Sequence, residues 1–480
     1  MKHTSYLATL PLALLATLHA KAEPRPNIVF IIADDLGIGD LSCYGATKIL
    51  TPRIDRLAGE GVRCTDAHSV CGVCSPSRYS ILSGTYLWHG KSKGGYSLYF
   101  HDGQITLPSL LKSAGYRTQA LGKWHNGFGR VPETDWNAEL KPGPLEIGFD
   151  HFFGTPRTHN EPPLVFVEDH QVIGLDPADP IRVEKKSKNS GFGEMFGGAK
   201  ARAARPDERI DFIMAEKAAA FFGEQSKEVP FFLYLAFAAP HVPINPAPEF
   251  RGKSGAALYG DYIQQLDHCT GLVLDSLEKS GLAGDTIVIF TSDNGACLFP
   301  TVLEAGHRPN RELLGQKTHA WEGGHRVPFL ARWPGHFPAG SVRGKLFTQV
   351  DVMATLAEAA GIAMPDGASP DGASELAAFT DPANAPARRT EAVFQGTWGY
   401  ALRYGDWVYL PYQGAGGKFP NLATNGSGRI GADAPAAQLY NLATDLRQET
   451  NVIAQYPELA GKLDARLKQL APASGAAVEP

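Results

Sequence analysis

Short apolar runs that break off into polar residues set the rhythm of this chain. Three have the same form: "NIVFIIADD" (Asn27 to Asp35), "PFFLYLAFAAPH" (Pro230 to His241) and "DTIVIFTSDNG" (Asp285 to Gly295). A near-continuous β-branched and aromatic run predicts a strand buried on both faces of a parallel sheet, with the polar residues carried into the loop at its carboxyl end. Between the second and third runs, Ile263, Leu266, Val273, Leu274 and Leu277 fall near helical spacing, and Gly281 supplies a stop. Strand, helix, strand predicts an α/β fold whose parallel sheet is covered on both faces. "YRTQAL" (Tyr116 to Leu121) is a further strand-like stretch.

Elsewhere the pattern changes. Glu184 to Arg209 is rich in glycine and lysine with few apolar positions, and is expected as a surface loop near the mouth of a site. Around Pro365 to Pro386 the composition shifts to Pro, Ala, Gly and Asp, which predicts a connection between domains. Beyond it, "AVFQGTWGYALRYGDWVYLPY" predicts two antiparallel strands joined near Gly405, and Pro457 to Leu470 an amphipathic helix. The expected units are therefore residues 1–22, 23–370 and a smaller C-terminal α+β subdomain at 371–480, an antiparallel sheet plus a helix.

The first of these units is a targeting segment. Lys2 and His3 precede an apolar run from Tyr6 to Leu18 that ends in Ala20-Lys21-Ala22, a small-x-small cleavage pattern. The run is short for a bilayer, and no later stretch is long and apolar enough to span one. The expected product is secreted or periplasmic, without stable membrane insertion. A formal net charge of −5 over 480 residues shows no nucleic-acid footprint. Six cysteines do not make a disulfide scaffold in a chain of this length, and Cys71 and Cys74 lack the second close pair that a zinc site needs. A redox pair at Cys71 and Cys74 stays open at this point.

Candidate chemistry collects at the strand ends, where open α/β sheets hold their ligands. Asp34, Asp35, Asp293 and Asn294 make a hard oxygen-donor set suited to calcium or magnesium. Taken singly, Asp-Asp and Asp-Asn-Gly are turn formers; their convergence at two strand ends is what makes a cation site. Lys123 and His125 in "GKWHNG" stand two apart after a strand, so alternation puts both on one side of an extended segment. His241 closes the second run, and Lys317 lies in a glycine-rich loop.

"CSPSRYSILSG" (Cys74 to Gly84) resembles the CxPxR signature of type I sulfatases in the alkaline phosphatase superfamily. The resemblance runs along most of the chain through "NIVFIIADDLG", "GKWHNG", "PHVP", "SDNG", "GQKTHAWEGGHRVP" and "LYNLATDLRQETN", in the family's order. It implies an alkaline-phosphatase-like fold with a large mixed, mostly parallel sheet sandwiched by helices. It also implies that a formylglycine-generating enzyme oxidises Cys74 to formylglycine, whose hydrate attacks the sulfur of a sulfate ester. By the same resemblance Asp34, Asp35, Asp293 and Asn294 hold Ca²⁺ facing residue 74, and Arg78 and Lys123 steady the hydrate. His125 is then the base, while His241 and Lys317 contact the sulfate and its bridging oxygen, with His241 the expected acid for the departing alcohol and Lys317 able to share that duty. Cys71 has no catalytic part. One departure is Leu82-Ser83-Gly84-Thr85 in place of the usual Leu-Thr-Gly-Arg, which bears on the modifying enzyme's contacts.

Gly148 to Gly174 resembles the corresponding segment of carbohydrate sulfatases acting on galactose or N-acetylgalactosamine sulfates, which would place Arg157, His159 and Asn160 in a sugar subsite. The expected substrate is a sulfated glycan, attacked from its end, with the 3-, 4- or 6-position open. A phosphate-ester or phosphonate hydrolase of the same superfamily, and a dead glycan-binding homologue with unconverted Cys74, are the alternatives.

Overall fold

The computed structural model describes residues 25–90, 97–131, 133–184, 193–419 and 435–472. The expected signal peptide lies outside them. Among the described residues, no helix is long and apolar enough to cross a membrane.

Ten strands among the described residues form one mixed sheet. At its centre Thr286–Ser292, Asn27–Ala33, Phe231–Ala236 and Arg117–Gly122 run parallel, in that order. The three predicted strands are thus neighbours. Each is buried along its whole length, so successive side chains feed two cores. Ile28, Phe30 and Ile32 point to one face, and Val29, Ile31 and Ala33 to the other. On the first face pack the helices Cys74–Ser83, Leu107–Ser113 and Val352–Ala359. The second is covered by Ile210–Gly223 and by Ala257–Lys279, whose Ile263, Leu266, Val273, Leu274 and Leu277 are all buried.

Register levels the carboxyl ends. Ala33 pairs with Ser292, Ile32 with Ala236, and Ala236 with Gly122. The residues that follow (Asp34, Asp293, Phe237 and Lys123) therefore leave the sheet side by side. Antiparallel strands flank this centre: Phe329–Arg332 on one side and, beyond His151–Gly154, the short Val167–Glu168 and Gln171–Val172 on the other.

The C-terminal sheet orders Glu391–Gln395, Tyr400–Tyr404, Trp407–Leu410 and Gln438–Asn441 antiparallel. The turn at Gly405 (φ 58°) is where the alternation predicted it. The preceding stretch holds a second turn at residues 396–399, so this segment makes three strands instead of two. Helix Pro457–Leu470 has the predicted bounds and packs Ala460, Leu463 and Leu467 against Tyr400, Leu402 and Leu439.

Two low-complexity stretches carry more structure than their composition suggests. Within 184–209, Glu194–Phe196 pairs with Arg182–Glu184, and the short helix Ala199–Ala203 buries Ala201 in the main core. Within 365–386, helix Leu376–Thr380 buries Phe379 in that core, and Glu375 pairs with Arg343 at 2.7 Å with both side chains fully buried. One apolar side chain per turn was enough to anchor each.

Candidate active site

The helix Cys74–Ser83 begins on Cys74 itself. Pro76 suits a first turn, where its missing N–H costs nothing, and Gly84 (φ 61°) takes the left-handed turn that ends the helix. Cys74 and Arg78 are four residues apart, so they share a face, which is the physical sense of the CxPxR spacing. That face meets the level strand ends. Ligand atoms of Asp34, Asp35, Cys74 and His241 all lie within 4.8 Å of one another, and all four residues are buried.

Cations line the acids. Lys123 Nζ donates to both oxygens of Asp34 at 2.8 Å, and Lys317 Nζ to Asp35 Oδ2 at 2.7 Å. Arg78 Nε and Nη2 reach Asp293 Oδ2 at 2.9 and 2.7 Å, and Nη1 donates to the Lys123 carbonyl at 3.1 Å. Burial alone would raise the Asp34 and Asp35 carboxyls; Lys123 beside the first and Lys317 beside the second bring both below the usual carboxylate value. The same pairing holds Lys317 protonated against the pull of its own burial.

Asp35 sits at φ 63°, a left-handed conformation that costs a non-glycine residue energy. It aims the backbone N–H at Asp293 Oδ1 (3.1 Å) and lets Oδ1 accept from Asn294 Nδ2 (2.8 Å). Asn294 Oδ1 is buried and has no hydrogen-bond partner among the described residues. An orphan carbonyl oxygen among three carboxylates is a donor set for a hard cation.

The histidines are neutral. His241 donates Nδ1–H to the Val242 carbonyl at 2.7 Å, which leaves Nε2, 3.6 Å from Asp35 Oδ2, without a proton. Burial and then Lys317 lower its pKa. Its loop is held by Asp211, which accepts from the Ala238 and Ala239 amides at 2.7 and 3.1 Å. His125 is pushed well below the usual histidine value by burial and by Lys123, Arg157 and Arg78. Its Nε2 is 3.7 Å from Glu161 Oε2, and Nδ1 is buried without a partner among the described residues. Lys123 and His125 do join one site, but not by strand alternation: the strand stops at Gly122, and the chain reaches His125 through a left-handed turn (φ 53°).

Of the three expected sugar contacts, Arg157 and Asn160 are half-buried at the rim. Arg157 Nε donates to Glu161 Oε2 at 2.6 Å, and Asn160 Oδ1 accepts from Thr158 Oγ1 at 2.6 Å. His159 is different. It is only 3% exposed, stacks edge-on behind His241 with ring centroids 5.6 Å apart, and its Nε2 lies 3.2 Å from the Pro243 carbonyl. It packs behind His241, and its Nδ1 is buried without a hydrogen-bond partner among the described residues.

Sequence reasoning missed Glu161 and Cys297, whose Sγ is 3.8 Å from Asp35 Oδ2. Glu161 stands in a loop, where no periodicity marks it; its i, i+4 spacing from Arg157 was the available clue. Cys71 is fully buried against the Gly396 carbonyl at 4.0 Å, and burial pushes its thiol up, so it lacks the accessible thiolate that a redox pair needs. Burial raises the Cys74 thiol to about 11 despite Lys123 and Lys317, so the unmodified side chain is no thiolate near neutrality.

The sulfatase family model matches residues 26–362. The chain belongs to the sulfatase family. It is 36% identical over 487 aligned residues to an N-acetylgalactosamine-6-O-sulfatase of Bacteroides thetaiotaomicron, covering 93% of each protein. A rat N-acetylgalactosamine-6-sulfatase is 33% identical over 380 residues, 75% of this chain and 67% of the relative. A solved structure from work on the metabolism of multiple glycosaminoglycans by Bacteroides thetaiotaomicron superposes with a TM-score of 0.85 at 36% identity, covering 93% of this chain and 99% of that one.

The sulfatase's Lys317 loop carries an acid-sensitive contact. His319 is fully buried as a neutral ring, accepting from the Gln316 amide at 3.3 Å while Nε2 meets the Phe419 carbonyl at 3.0 Å. Burial lowers its pKa to about 4. The unfolded chain takes up this proton first, near pH 6.5, so the contribution is complete above that pH and lost as pH falls through 4. That is about 3 kcal/mol. His319→Gln should flatten the fall of thermal midpoint between pH 6.5 and 4, read by scanning calorimetry.

Proposed function

We propose that this sulfatase is an exported glycan exosulfatase that removes 6-O-sulfate from N-acetylgalactosamine or galactose, using Ca²⁺ and formylglycine made from Cys74 by a formylglycine-generating enzyme. The observation that carries it is the clustering of Asp34, Asp35, Cys74 and His241 within 4.8 Å under three cationic side chains. The 6-position comes from the relatives, which are named for it.

Asp34, Asp35, Asp293 and Asn294 fit Ca²⁺ by chemistry: four oxygen donors, one of them without any other partner. When bound, the ion supplies Lewis-acid polarisation of the sulfate oxygens, and the hydrated aldehyde, which the Cys74 sulfur stands in for, supplies the attacking oxygen. Arg78 fixes the floor of the site through Asp293 and the Lys123 carbonyl. His125 keeps a bare buried nitrogen, as a base requires. The acid's duty falls to Lys317. His241 has no proton on the nitrogen facing the site, whereas Lys317 keeps its own. His241 then orients the sulfate, with His159 packed behind it.

Glu161 links the base to the rim by contacting both His125 and Arg157. Glu161→Gln is expected to cut kcat/KM about tenfold, a fraction of the 10²–10⁴ that a whole acid–base group supplies. Steady-state kinetics on a sulfated monosaccharide check it, and an unchanged value removes Glu161 from the scheme.

The test of function is a panel of N-acetylgalactosamine and galactose 6-, 4- and 3-sulfates with matched phosphate esters, assayed on protein whose residue 74 has been read by mass spectrometry. Preferential release of sulfate from the 6-esters supports the reading. Faster phosphate release would make the chain a phosphate-ester hydrolase. Glycan binding without turnover by protein from its native host would make it a dead homologue.

A further inference from the structure

A second cluster lies away from the strand ends. His68, Glu322 and His325 are each fully buried, and one ligand atom from each lies within 4.8 Å of the others. The two imidazoles meet head to head, with His68 Nδ1 and His325 Nδ1 3.0 Å apart.

The remaining nitrogens are already engaged. His68 Nε2 lies 2.8 Å from Asp66 Oδ1, and His325 Nε2 lies 3.2 Å from the Ala320 carbonyl. Both contacts need a proton on Nε2. Arg403 Nη1 is also 3.3 Å from His68 Nε2, but it donates at 2.7 Å to the same Asp66 oxygen, so it does not displace that proton. Two neutral rings so fixed point two Nδ1 lone pairs at each other. Something positive must sit between them. A carboxylate or carbonyl on the far nitrogen is also the arrangement that orients histidine as a metal ligand.

Glu322 decides between a shared proton and a metal ion. Its Oε2 accepts from Arg326 Nε and Nη2 at 2.8 and 2.7 Å. Its Oε1 is buried and has no partner among the described residues. A proton between the rings satisfies both nitrogens and leaves that oxygen stranded, which is unfavourable for a buried charged group. One divalent ion satisfies all three donors. The 3.0 Å between nitrogens is close to the roughly 3.3 Å spanned by two ligands about 2.0 Å from a tetrahedral ion.

We propose that His68, His325 and Glu322 form a structural zinc site distinct from the catalytic cation site. Two imidazoles and one carboxylate suit Zn²⁺ and not Ca²⁺, which takes six to eight oxygens. The site would pin three segments together. His68 lies six residues before Cys74, and His325 ends the loop that begins at Lys317. Phe394 of the C-terminal sheet stacks on the His325 ring at a centroid distance of 3.9 Å. The proposal does not rest on the catalytic reading.

The test uses the full chain with Cys74→Ala, which removes the thiol that stands with Asp34, Asp35 and His241, produced in zinc-supplemented medium and passed through metal-free gel filtration. Elemental analysis should find one zinc per chain, and Cys74→Ala/His325→Gln should retain none. As a check independent of that second variant's folding, Cys74→Ala protein produced with cobalt should show visible d–d absorption of a cobalt ion bound by nitrogen and oxygen, without thiolate charge transfer. Absence of both zinc and cobalt from Cys74→Ala protein, or equal zinc in the two variants, overturns the site and leaves a shared proton between the rings.

Discussion

Cys74→Ala should abolish sulfate-ester turnover, by at least about 10⁴-fold in kcat, as expected when the attacking group itself is removed. The fold should survive. Cys74 opens a helix whose other nine residues are buried by their own contacts, and trimming one sulfur from that position leaves Arg78, Asp293 and Lys123 paired. Cys74→Ser separates two explanations for the loss. It restores a single hydroxyl at nearly the same volume, but not the second hydroxyl that an aldehyde hydrate offers. If a plain nucleophile sufficed, serine would recover much of the rate; under the formylglycine reading it stays inactive over repeated turnovers. Initial rates on a chromogenic sulfate ester, with the mass of the residue-74 peptide measured for each preparation, give the answer. Cys74→Ala activity within tenfold of the converted wild type would sink the assignment.

What made this site legible was the ending of strands. Apolar runs that stop at Asp34, Asp293 and His241 announce both a buried parallel strand and the residues it delivers; register brings Asp34 and Asp293 level, and the loop after Ala236 carries His241 to them. Cys74 and Arg78 were found by motif and not by pattern. Their helix is buried on every side, so it has no polar stripe and no amphipathic signal to read. Cys297 and Asp211 were invisible because each acts across the fold on a partner outside its own segment, and Glu161 offered only its i, i+4 spacing from Arg157 in a loop without periodicity. The packing of His159 edge-on behind His241 is likewise a property of the folded loops, which no local spacing encodes. His68 and His325 lie 257 residues apart in the chain, so nothing local pairs them, although His325 falls inside the motif "GQKTHAWEGGHRVP".

Arg78→Ala should be strongly destabilising, since it removes one of the largest fully buried side chains together with its charge. The guanidinium is fully buried, and three of its nitrogens are committed: Nε and Nη2 to Asp293 Oδ2, and Nη1 to the Lys123 carbonyl. Removing it strands a buried carboxylate, a loss of about 3–5 kcal/mol. Calcium cannot fully compensate, because Asp293 Oδ1 already accepts from the Asp35 amide, and the freed Oδ2 loses the donors that aimed it. The expected result is a lowered thermal midpoint even at saturating calcium, together with loss of activity. Arg78→Lys tests geometry apart from charge. An ammonium can neutralise Asp293, yet it lacks the fork that reaches the Lys123 carbonyl at the same time. Lysine should therefore regain most of the thermal midpoint but leave kcat at least about 100-fold down, since Lys123 would lose the contact that fixes its backbone over Asp34. A midpoint for Arg78→Ala equal to that of the wild type would mean that Asp293 finds its counter-charge elsewhere, in Lys123 Nζ at 3.9 Å or in the added calcium.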